Sequence, residues 1–292
     1  MFIATLIAAD RLASGDISAA EDALRRAGLE PNGRSWVERD TACDLLFGGA
    51  PDRARIALEG LLPETDVIVQ GEAGRRKRLL AADMDSTIIT VECIDELADY
   101  AGVKAAVAAI TERAMQGALP FEAALRERVA LLAGLDEHVL ARCYEERVRF
   151  TPGAETLVRT MKRNGAYCLL VSGGFTAFAD RVATTLGFDR ALSNRLVCAE
   201  GKLSGAVELP IVGAQQKRSA LLDVAAERNL DLADTLAIGD GANDIPMLEA
   251  AGLGLAYRAK PAVAAAAGAR VEHGDLTALL YAQGYSRSDW AS

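Results

Sequence analysis

The amino-acid sequence predicts an α/β protein with a parallel-sheet core, an inserted helical cap and a small N-terminal α+β domain. From Leu79 onward, short apolar runs alternate with helical segments, which is typical of βαβ units. A helical stretch at about 92–149 interrupts this alternation after its first strand. The N-terminal residues, which precede the βαβ region, follow a strand–helix–strand–helix–strand order. We therefore predict one domain over 1–74 and a second, Rossmann-like domain over 75–292.

The N-terminal domain is predicted from five segments in order. They are strands at 2–9, 35–47 and 65–70 and helices at 16–29 and 51–62. Asp16 is typical of a helix start, Gly28 of a helix end and Pro51 of a first helical turn. If 35–47 contains two merged strands, the order is the β-α-β-β-α-β of a ferredoxin-like sandwich. The basic run Arg75–Arg78 that follows is interpreted as a solvated linker.

The second domain is predicted to place loops at the ends of four strands. These strand segments lie at 78–85, 166–174, 190–196 and 234–241. The second and fourth are continuous apolar runs that end in glycine and small polar residues, the pattern of strands buried on both faces. In a parallel sheet, ligands bind beyond the carboxyl ends of such strands.

The insertion at about 92–149 is predicted to be helical. It contains three segments, each closed by a glycine, at 93–102, 103–117 and 121–134. An insertion of this size between two βα units is expected to form a cap over the strand ends. A short hairpin is predicted at 196–208, turning near Gly201.

Composition excludes several classes of protein. The formal net charge of −9 argues against a nucleic-acid or anionic-membrane surface, because both need clustered Lys and Arg. The five cysteines are scattered without C-x-x-C spacing, as in a reduced cytoplasmic protein. The two histidines are far apart, so a His-rich zinc site is not expected. No secretory signal is predicted, and no stretch approaches the roughly 20 apolar residues of a membrane span.

Asp83 and Asp85 follow the first core strand and are the first candidates for chemistry. In extended backbone, residues i and i+2 point to the same side, so both carboxylates can face one site. Mg²⁺ would relieve their repulsion, and it is typically held by carboxylates and a substrate phosphate. One carboxylate could then attack phosphorus while the other transfers a proton. A helix cap remains the alternative, whereas an EF-hand is excluded because its glycine and glutamate positions are Ile88 and Ile94.

Three further segments carry residue types that bind metals or phosphate. Asp240 lies between two glycines at a strand end, and Asn243 and Asp244 follow where they could complete a metal's oxygen shell. The Ser172–Gly173 pair lies at a strand-to-helix junction, where hydroxyl and backbone N–H groups bind phosphate. Lys217 could balance the charge of a phosphoryl group. Their ordinary alternatives are a tight turn, a generic loop and a surface charge.

In this order, DMDST, SGG, the later lysine and GDGAND resemble the four motifs of the haloacid-dehalogenase-like phosphatase superfamily. Longer segments are similar to its phosphoserine phosphatase family, among them DMDSTIITVECIDELA, TERAMQGALPFEAALRERVALL and IGDGANDIPMLEAAGLGLAYRAKP. The resemblance extends from about Leu79 to about Leu280. It implies Mg²⁺-dependent hydrolysis of O-phospho-L-serine to L-serine and phosphate through an aspartyl-phosphate, as the last step of serine synthesis.

The resemblance also implies roles for single residues. Asp83 is the expected nucleophile, and Asp85 is expected to protonate the leaving oxygen and then activate water. Mg²⁺ would be bound by the Asp83 carboxylate, the Asp85 backbone carbonyl and Asp240, with Asp244 in support. The expected substrate-binding residues are Ser172, Gly173, Lys217 and Asn243 at the phosphoryl end, and Glu92, Met115, Phe121 and Arg128 in the cap.

Two charges in the cap suit an amino-acid substrate independently of the resemblance. A zwitterion offers one cation and one anion, which Glu92 and Arg128 under a closing lid would match. Taken alone, Arg128 could be a surface charge and Phe121 a core residue. The competing functions are phosphotransfer to homoserine, hydrolysis of another small phosphomonoester, and a non-catalytic amino-acid sensor. The presence of the whole catalytic set argues against the sensor.

The order of elements in 1–74 resembles the ACT-type regulatory modules attached to some phosphoserine phosphatases. Such a module would pair subunits in a homodimer or sense serine, and a passive stabilising domain is the alternative. The segment carries no specific ligand motif. The expected partner is the small molecule phosphoserine, without a nucleic acid or a membrane.

Overall fold

The computed structural model describes residues 1–115 and 118–291, without the side chain of Met115. The N-terminal domain consists of β1 (Phe2–Ala8), α1 (Ser14–Arg26), β2 (Pro31–Glu38), β3 (Ala42–Phe47), α2 (Pro51–Leu58) and β4 (Thr65–Gly71). Its strands form an antiparallel sheet in the order β2-β3-β1-β4. This is the ferredoxin-like order, and it confirms the predicted small α+β domain.

One face of this antiparallel sheet packs on the two helices. Ala4, Leu6 and Ala8 alternate along β1 and are buried in the same apolar cluster as residues of α1 and α2. The segment predicted as merged strands holds a turn, because Asp40 between β2 and β3 has φ 58°. Aspartate tolerates this left-handed conformation, so the chain reverses inside an otherwise strand-like run.

Buried polar contacts join the two domains. The Asp66 carboxylate accepts hydrogen bonds of 2.8–3.2 Å from the backbone N–H groups of residues 272–274. Arg75 donates to both carboxylate oxygens of Asp44, at 2.6 and 3.0 Å. Lys77 is buried and donates to the Ala233 carbonyl at 2.8 Å. The interpretation of this basic run as a solvated linker is therefore wrong for Arg75 and Lys77, whose charges satisfy acceptors at the domain boundary.

The second domain is built on a six-stranded parallel sheet, which confirms the predicted α/β core. The sheet order is β12-β11-β10-β5-β6-β7. Its strands are β5 (Leu79–Ala82), β6 (Tyr167–Phe175), β7 (Arg190–Asn194), β10 (Thr235–Gly239), β11 (Leu253–Tyr257) and β12 (Ala269–Val271). The remaining pair, β8 (Leu196–Ala199) and β9 (Lys202–Val207), forms an antiparallel hairpin where one was predicted.

Helices cover both faces of the parallel sheet. They are α7 (Ala154–Arg163), α8 (Thr176–Leu186), α9 (Ala214–Glu227), α10 (Ile245–Ala250), α11 (Pro261–Ala266) and α12 (Ala278–Ala282). Leu80 and Ala82 of β5 belong to the apolar cluster that includes α7, α8 and α12. Leu79 and Ala81 belong to the cluster that includes α9, α10 and α11. β5 is therefore buried on both faces, as its continuous apolar run predicts.

The insertion between β5 and β6 is helical. It contains α3 (Cys93–Tyr100), α4 (Lys104–Met115), α5 (Phe121–Ala130) and α6 (His138–Arg147). The sequence predicts only three helical segments here, since α6 ends at the extended residue Val148 without a closing glycine. The hairpin supports this cap, because the Gly134 N–H donates to the Leu203 carbonyl at 2.8 Å. Within the described residues, no helix is long and apolar enough to cross a membrane.

Candidate active site

The end of β5 brings Asp83 and Asp85 to one cavity. The backbone N–H of Asp83 still donates to the Ile238 carbonyl of β10 at 2.9 Å, so the strand pairing fixes its position. Asp85 is extended, with φ −65° and ψ 136°, and Ser86 then turns the chain with φ 56°. Both aspartates line a cavity of about 620 Å³ between the strand ends and the cap. The local backbone therefore produces the shared site that the i, i+2 spacing predicts.

Lys217 lies beneath this cavity and joins two of the carboxylates. Its Nζ lies 2.6 Å from Asp83 Oδ1 and 2.7 Å from Asp244 Oδ1. The side chains of Lys217 and Asp244 are both 0% exposed. Burial by itself lowers the pKa of Lys217, but the two carboxylates outweigh burial and raise that pKa. Lys217 is thus a permanent cation whose charge is balanced by protein groups.

Three carboxylates form an acidic cluster with the donor chemistry of a divalent-cation site. One oxygen each from Asp83, Asp240 and Asp244 lies within 4.8 Å of the others. Burial and the charges of Asp244 and Asp240 raise the pKa of Asp83 well above its usual range, against the effect of Lys217. Burial also raises the pKa of Asp240 to about 6. A bound cation would relieve the repulsion among these carboxylates, and hard cations prefer oxygen ligands. The donor set therefore fits Mg²⁺.

Two glycines shape the loop that carries Asp240. A Cβ on Gly239 would overlap the carboxyl carbon of Asp244, so the strand end must be glycine for that carboxylate to approach. The N–H of Gly241 donates to Asp244 Oδ2 at 3.0 Å. Asp244 is therefore held by one backbone donor and one lysine, and its orientation is fixed.

Asp85 has the properties of a proton-transfer group. Burial and the nearby charge of Glu92 raise the pKa of Asp85 to about 7, although the Cys93 N–H, 3.4 Å from Oδ1, acts in the opposite direction. A carboxyl group that titrates near neutrality can both give and accept a proton under physiological conditions. The Asp85 carboxylate is absent from the acidic cluster found among the described residues, and it is therefore available for that work.

The carboxyl end of β6 approaches the aspartates closely. Ser172 is buried and its Oγ accepts a hydrogen bond from the Gly174 N–H at 2.8 Å. A Cβ on Gly174 would lie 2.6 Å from Asp85 Oδ2, and a Cβ on Gly173 would lie 2.9 Å from the Phe121 ring. Because these two positions carry no side chain, the backbone at the end of β6 can approach both the Asp85 carboxylate and the Phe121 ring of the cap.

The cap contributes the acidic residues Glu92 and Asp95 and the basic residue Arg128 to the cavity. Glu92 accepts a hydrogen bond of 2.6 Å from Ser86 Oγ. Arg128 donates to Thr111 Oγ1 at 3.4 Å and to the Ala124 carbonyl at 3.3 Å, and burial lowers its pKa. Phe121 lines the same cavity as Glu92 and Arg128. The side chain of Met115, the remaining predicted cap residue, lies outside the described residues.

The structure places the predicted residues around one cavity or directly below it. Asp83, Asp85, Glu92, Phe121, Arg128, Ser172, Gly173, Asp240 and Asn243 line the cavity, and Lys217 and Asp244 are buried beside Asp83. Sequence analysis missed three supporting residues. Thr87 Oγ1 donates to Asp240 Oδ1 at 2.8 Å, Asn194 Nδ2 donates to the Gly173 carbonyl at 2.9 Å, and Thr111 contacts Arg128. Thr87 lies within DMDST and Thr111 opens TERAMQGALPFEAALRERVALL, so both fall in segments that carry the resemblance, although neither was assigned a role.

Comparisons with known proteins agree with this geometry. A family model described as haloacid dehalogenase-like hydrolase matches residues 80–249. The phosphoserine phosphatase of Albidiferax ferrireducens is 46% identical over 223 residues, which cover 73% of this chain and 94% of that relative. The phosphoserine phosphatase of Streptomyces coelicolor is 44% identical over 254 residues, which cover 85% of this chain but only 62% of that relative. The unliganded crystal structure of a probable phosphoserine phosphatase from Vibrio cholerae is 33% identical with a TM-score of 0.77, over 99% of this chain and 87% of that one.

Proposed function

The chain belongs to the haloacid dehalogenase-like hydrolase family and to its phosphoserine phosphatases, and we propose that it hydrolyses O-phospho-L-serine to L-serine and phosphate with Mg²⁺. One observation supports this reaction independently of the chain's membership in the family. A single cavity is lined by Asp83 and Asp85 from the core and by Glu92 and Arg128 from the cap. The first pair suits phosphoryl transfer, and the second suits the ammonium and carboxylate of an amino acid. Such a reaction would be the last step of serine synthesis.

Asp83 is the proposed nucleophile. Its Oδ1 accepts hydrogen bonds from Lys217 and from the Met84 N–H, at 2.6 and 2.8 Å. Both donors favour the ionised form and hold the carboxylate in place. The carboxylate attacks phosphorus, the bond between phosphorus and the serine oxygen breaks, and an aspartyl-phosphate forms on Asp83.

Asp85 is the proposed acid and base. In its protonated form it gives its proton to the serine oxygen as that oxygen leaves. As a carboxylate it then accepts a proton from the water that attacks phosphorus, which releases phosphate and restores Asp83. A pKa of about 7 allows both roles at one pH, because neither protonation state is rare.

Asp83 and Asp240 are the proposed carboxylate ligands of Mg²⁺, with the backbone carbonyl of Asp85 and with Asp244 in support. The support for this assignment is the acidic cluster described above. Asp244 suits a supporting role because Lys217 and the Gly241 N–H already orient it. When bound, the cation would neutralise charge on the phosphoryl oxygens.

The remaining site residues are proposed to bind the two ends of the substrate. Ser172, Gly173, Asn243 and Lys217 surround the phosphoryl end, where backbone N–H groups and a cation balance shifting charge. Glu92 pairs with the substrate ammonium and Arg128 with its carboxylate, while Phe121 covers the ligand. Closure of the cap would exclude water that is not the reactant.

The test is hydrolysis of L-phosphoserine with and without Mg²⁺, compared with phosphothreonine and an aryl phosphate. We expect equal amounts of serine and phosphate, a clear preference for phosphoserine, and loss of turnover when Mg²⁺ is chelated. A matched control is Asp83→Asn, which should be folded and inactive. Equal rates on all three compounds would indicate a general phosphomonoesterase. Formation of phosphohomoserine when homoserine is added would indicate a phosphotransferase.

We further propose a cytoplasmic homodimer in which the N-terminal domain pairs subunits or senses serine. All five cysteines are unpaired, which suits a reducing compartment. The molar mass of the full chain by light scattering and its inhibition by L-serine test the N-terminal role. A monomer that serine does not inhibit would leave this domain a stabilising role only.

A further inference from the structure

Asn194 is a buried amide that joins two separate backbone segments of the core. It is the last residue of β7 and is only 1% exposed. Its Nδ2 donates to the Gly173 carbonyl at 2.9 Å and to the Val212 carbonyl at 3.3 Å. Its Oδ1 accepts a hydrogen bond from the Val212 N–H at 2.7 Å. The amide thus uses both its N–H donors and its oxygen, and these partners fix its orientation.

The two segments carry residues of the proposed phosphoryl end. Gly173 belongs to the end of β6 and lines the cavity. Val212 directly precedes Gly213, the N-cap residue of α9. Lys217 lies in the first turn of this helix, and its backbone N–H donates to the Gly213 carbonyl at 3.0 Å. The Asn194 side chain therefore sets how far the Gly173 backbone lies from the start of the helix that carries Lys217.

Phe121 of the cap packs against both segments. A Cβ on Gly173 would lie 2.9 Å from Phe121 Cζ, and a Cβ on Gly213 would lie 3.3 Å from Phe121 Cδ1. The ring therefore lies beside two positions without side chains, one on each segment that Asn194 joins. Because the ring is rigid, a change in the separation of the two segments would remove one of these contacts.

Both backbone groups of Val212 bond the Asn194 side chain, as they would bond a neighbouring strand. Residues 208–213, between β9 and α9, form neither helix nor strand, so secondary structure supplies no partners for Val212. Asparagine is depleted in strands, and burial of an amide is costly unless its hydrogen bonds are made. An apolar side chain at this position would leave the Val212 N–H and the Gly173 carbonyl without these partners. The position is thus explained by the two segments that the amide joins.

We infer that Asn194 is a positioning residue that couples the cap to the phosphoryl end of the cavity, by fixing the separation of the Gly173 and Val212 segments. The inference rests on the proposed function for the reaction that it serves. The side-chain hydrogen bonds of Asn194 go to core backbone, so it acts through these segments and not on the substrate itself. Since a misplacement of about 1 Å can lower a rate about 10²-fold, the expected effect is on kcat.

The kinetic experiment is a double-mutant cycle of Asn194→Leu and Phe121→Leu, with Gln283→Met as the matched control. Gln283 is 0% exposed, and its amide also joins two segments, because Nε2 donates to the Leu279 carbonyl at 2.9 Å and Oε1 accepts from the Lys77 N–H at 3.0 Å. Gln283 is absent from the described cavity lining. We expect Asn194→Leu and Phe121→Leu each to lower kcat on phosphoserine at least about tenfold, with KM in Asn194→Leu changed less than about threefold. The double variant should lose no more than the larger single loss, because both changes break one coupled contact, and Gln283→Met should keep the wild-type kcat.

Hydrogen exchange separates this inference from the proposed function. In Asn194→Leu we expect faster amide exchange in residues 208–217 and also in residues 121–130 of the cap, whereas Gln283→Met should match wild type in both. If wild type does not hydrolyse phosphoserine, the proposed function fails, and faster exchange in 121–130 still supports the inference. Unchanged exchange in 121–130 would overturn it, and so would an unchanged kcat on phosphoserine or kcat losses that multiply in the double variant. Asn194→Ser, whose side chain is too short to join both segments, carries the same expectations if Asn194→Leu does not fold.

Discussion

Replacing Lys217 with methionine tests the electrostatic core of the site. The variant keeps the stem length and removes the ammonium that bonds Asp83 and Asp244 at 2.6 and 2.7 Å. It leaves two buried carboxylates without their cation, and breaking a buried ion pair in this way costs about 3–5 kcal/mol. We therefore expect Lys217→Met to lower the free energy of unfolding by about 3–5 kcal/mol at neutral pH in metal-free buffer, and to abolish turnover.

The pH dependence of this loss gives a second signature. Removing the cation raises the folded-state pKa of Asp83 further, because Lys217 acts to lower that pKa in the wild-type protein, so the folded state holds this proton more tightly than the unfolded state. Stability of the variant must then fall as pH rises above the unfolded value of about 4, and its deficit should be smaller at acid pH than in alkaline buffer. Adding Asp244→Asn to Lys217→Met should recover at least about 1 kcal/mol, because one uncompensated charge is removed.

The assay is urea unfolding at several pH values, with Lys162→Met as the matched control. Lys162 pairs with Asp189 at 2.8 Å, but both side chains are partly exposed, so its loss should cost less than about 1 kcal/mol. If Lys217→Met costs no more than Lys162→Met, or if its deficit grows on acidification, the described role of the buried lysine is wrong.

Three further predictions concern the proton-transfer group, the glycines at the end of β6 and the cap. Because the pKa of Asp85 is raised to about 7, formation of the phosphoenzyme in single-turnover experiments should decline as the pH rises above that value. Asp85→Asn should be about 10²–10⁴-fold slower, and an unchanged profile in that variant would exclude Asp85 as the acid. Gly174→Ala places a Cβ 2.6 Å from Asp85 Oδ2 and should lower kcat by at least about tenfold, whereas Gly15→Ala, whose Cβ would meet nothing within 4 Å, should not. Equal kcat values would show that the end of β6 shifts to accommodate the methyl group. Arg128→Lys should raise the KM for phosphoserine by about 10–100-fold and leave aryl phosphate hydrolysis unchanged, and a parallel loss on both substrates would contradict carboxylate binding.

The sequence predicted the parts of the site that local pattern determines. Asp83, Asp85 and Asp240 lie directly after buried strands, and strand ends of a parallel sheet converge whatever the details of packing. The same reasoning placed Ser172 near the carboxyl end of the strand observed as β6, and the structure has it within the last residues of that strand, beyond the part that pairs with β5. These positions depend on apolar runs and on glycines, which are visible in the chain itself.

The contacts that depend on tertiary packing were not predictable. Nothing local to Lys217 indicates that it reaches Asp244 and is fully buried, since a lysine in a helix is usually solvated. Asn194 donates to the Gly173 carbonyl, and nothing in its local sequence indicates that its side chain reaches the end of β6. Arg75 and Lys77 were assigned to solvent because composition does not show that a second domain covers them. The turn at Asp40 was hidden because both of its flanks have strand composition.

The account depends most on Asp83 as the nucleophile that accepts the phosphoryl group. The direct measurement is to mix the protein with phosphoserine and Mg²⁺, quench in acid within one turnover, and map the phosphorylated peptide by mass spectrometry. We predict one phosphoryl group on Asp83 in wild type and none in Asp83→Asn. A phosphoryl group on any other residue, or turnover by a folded Asp83→Asn protein, would contradict the account.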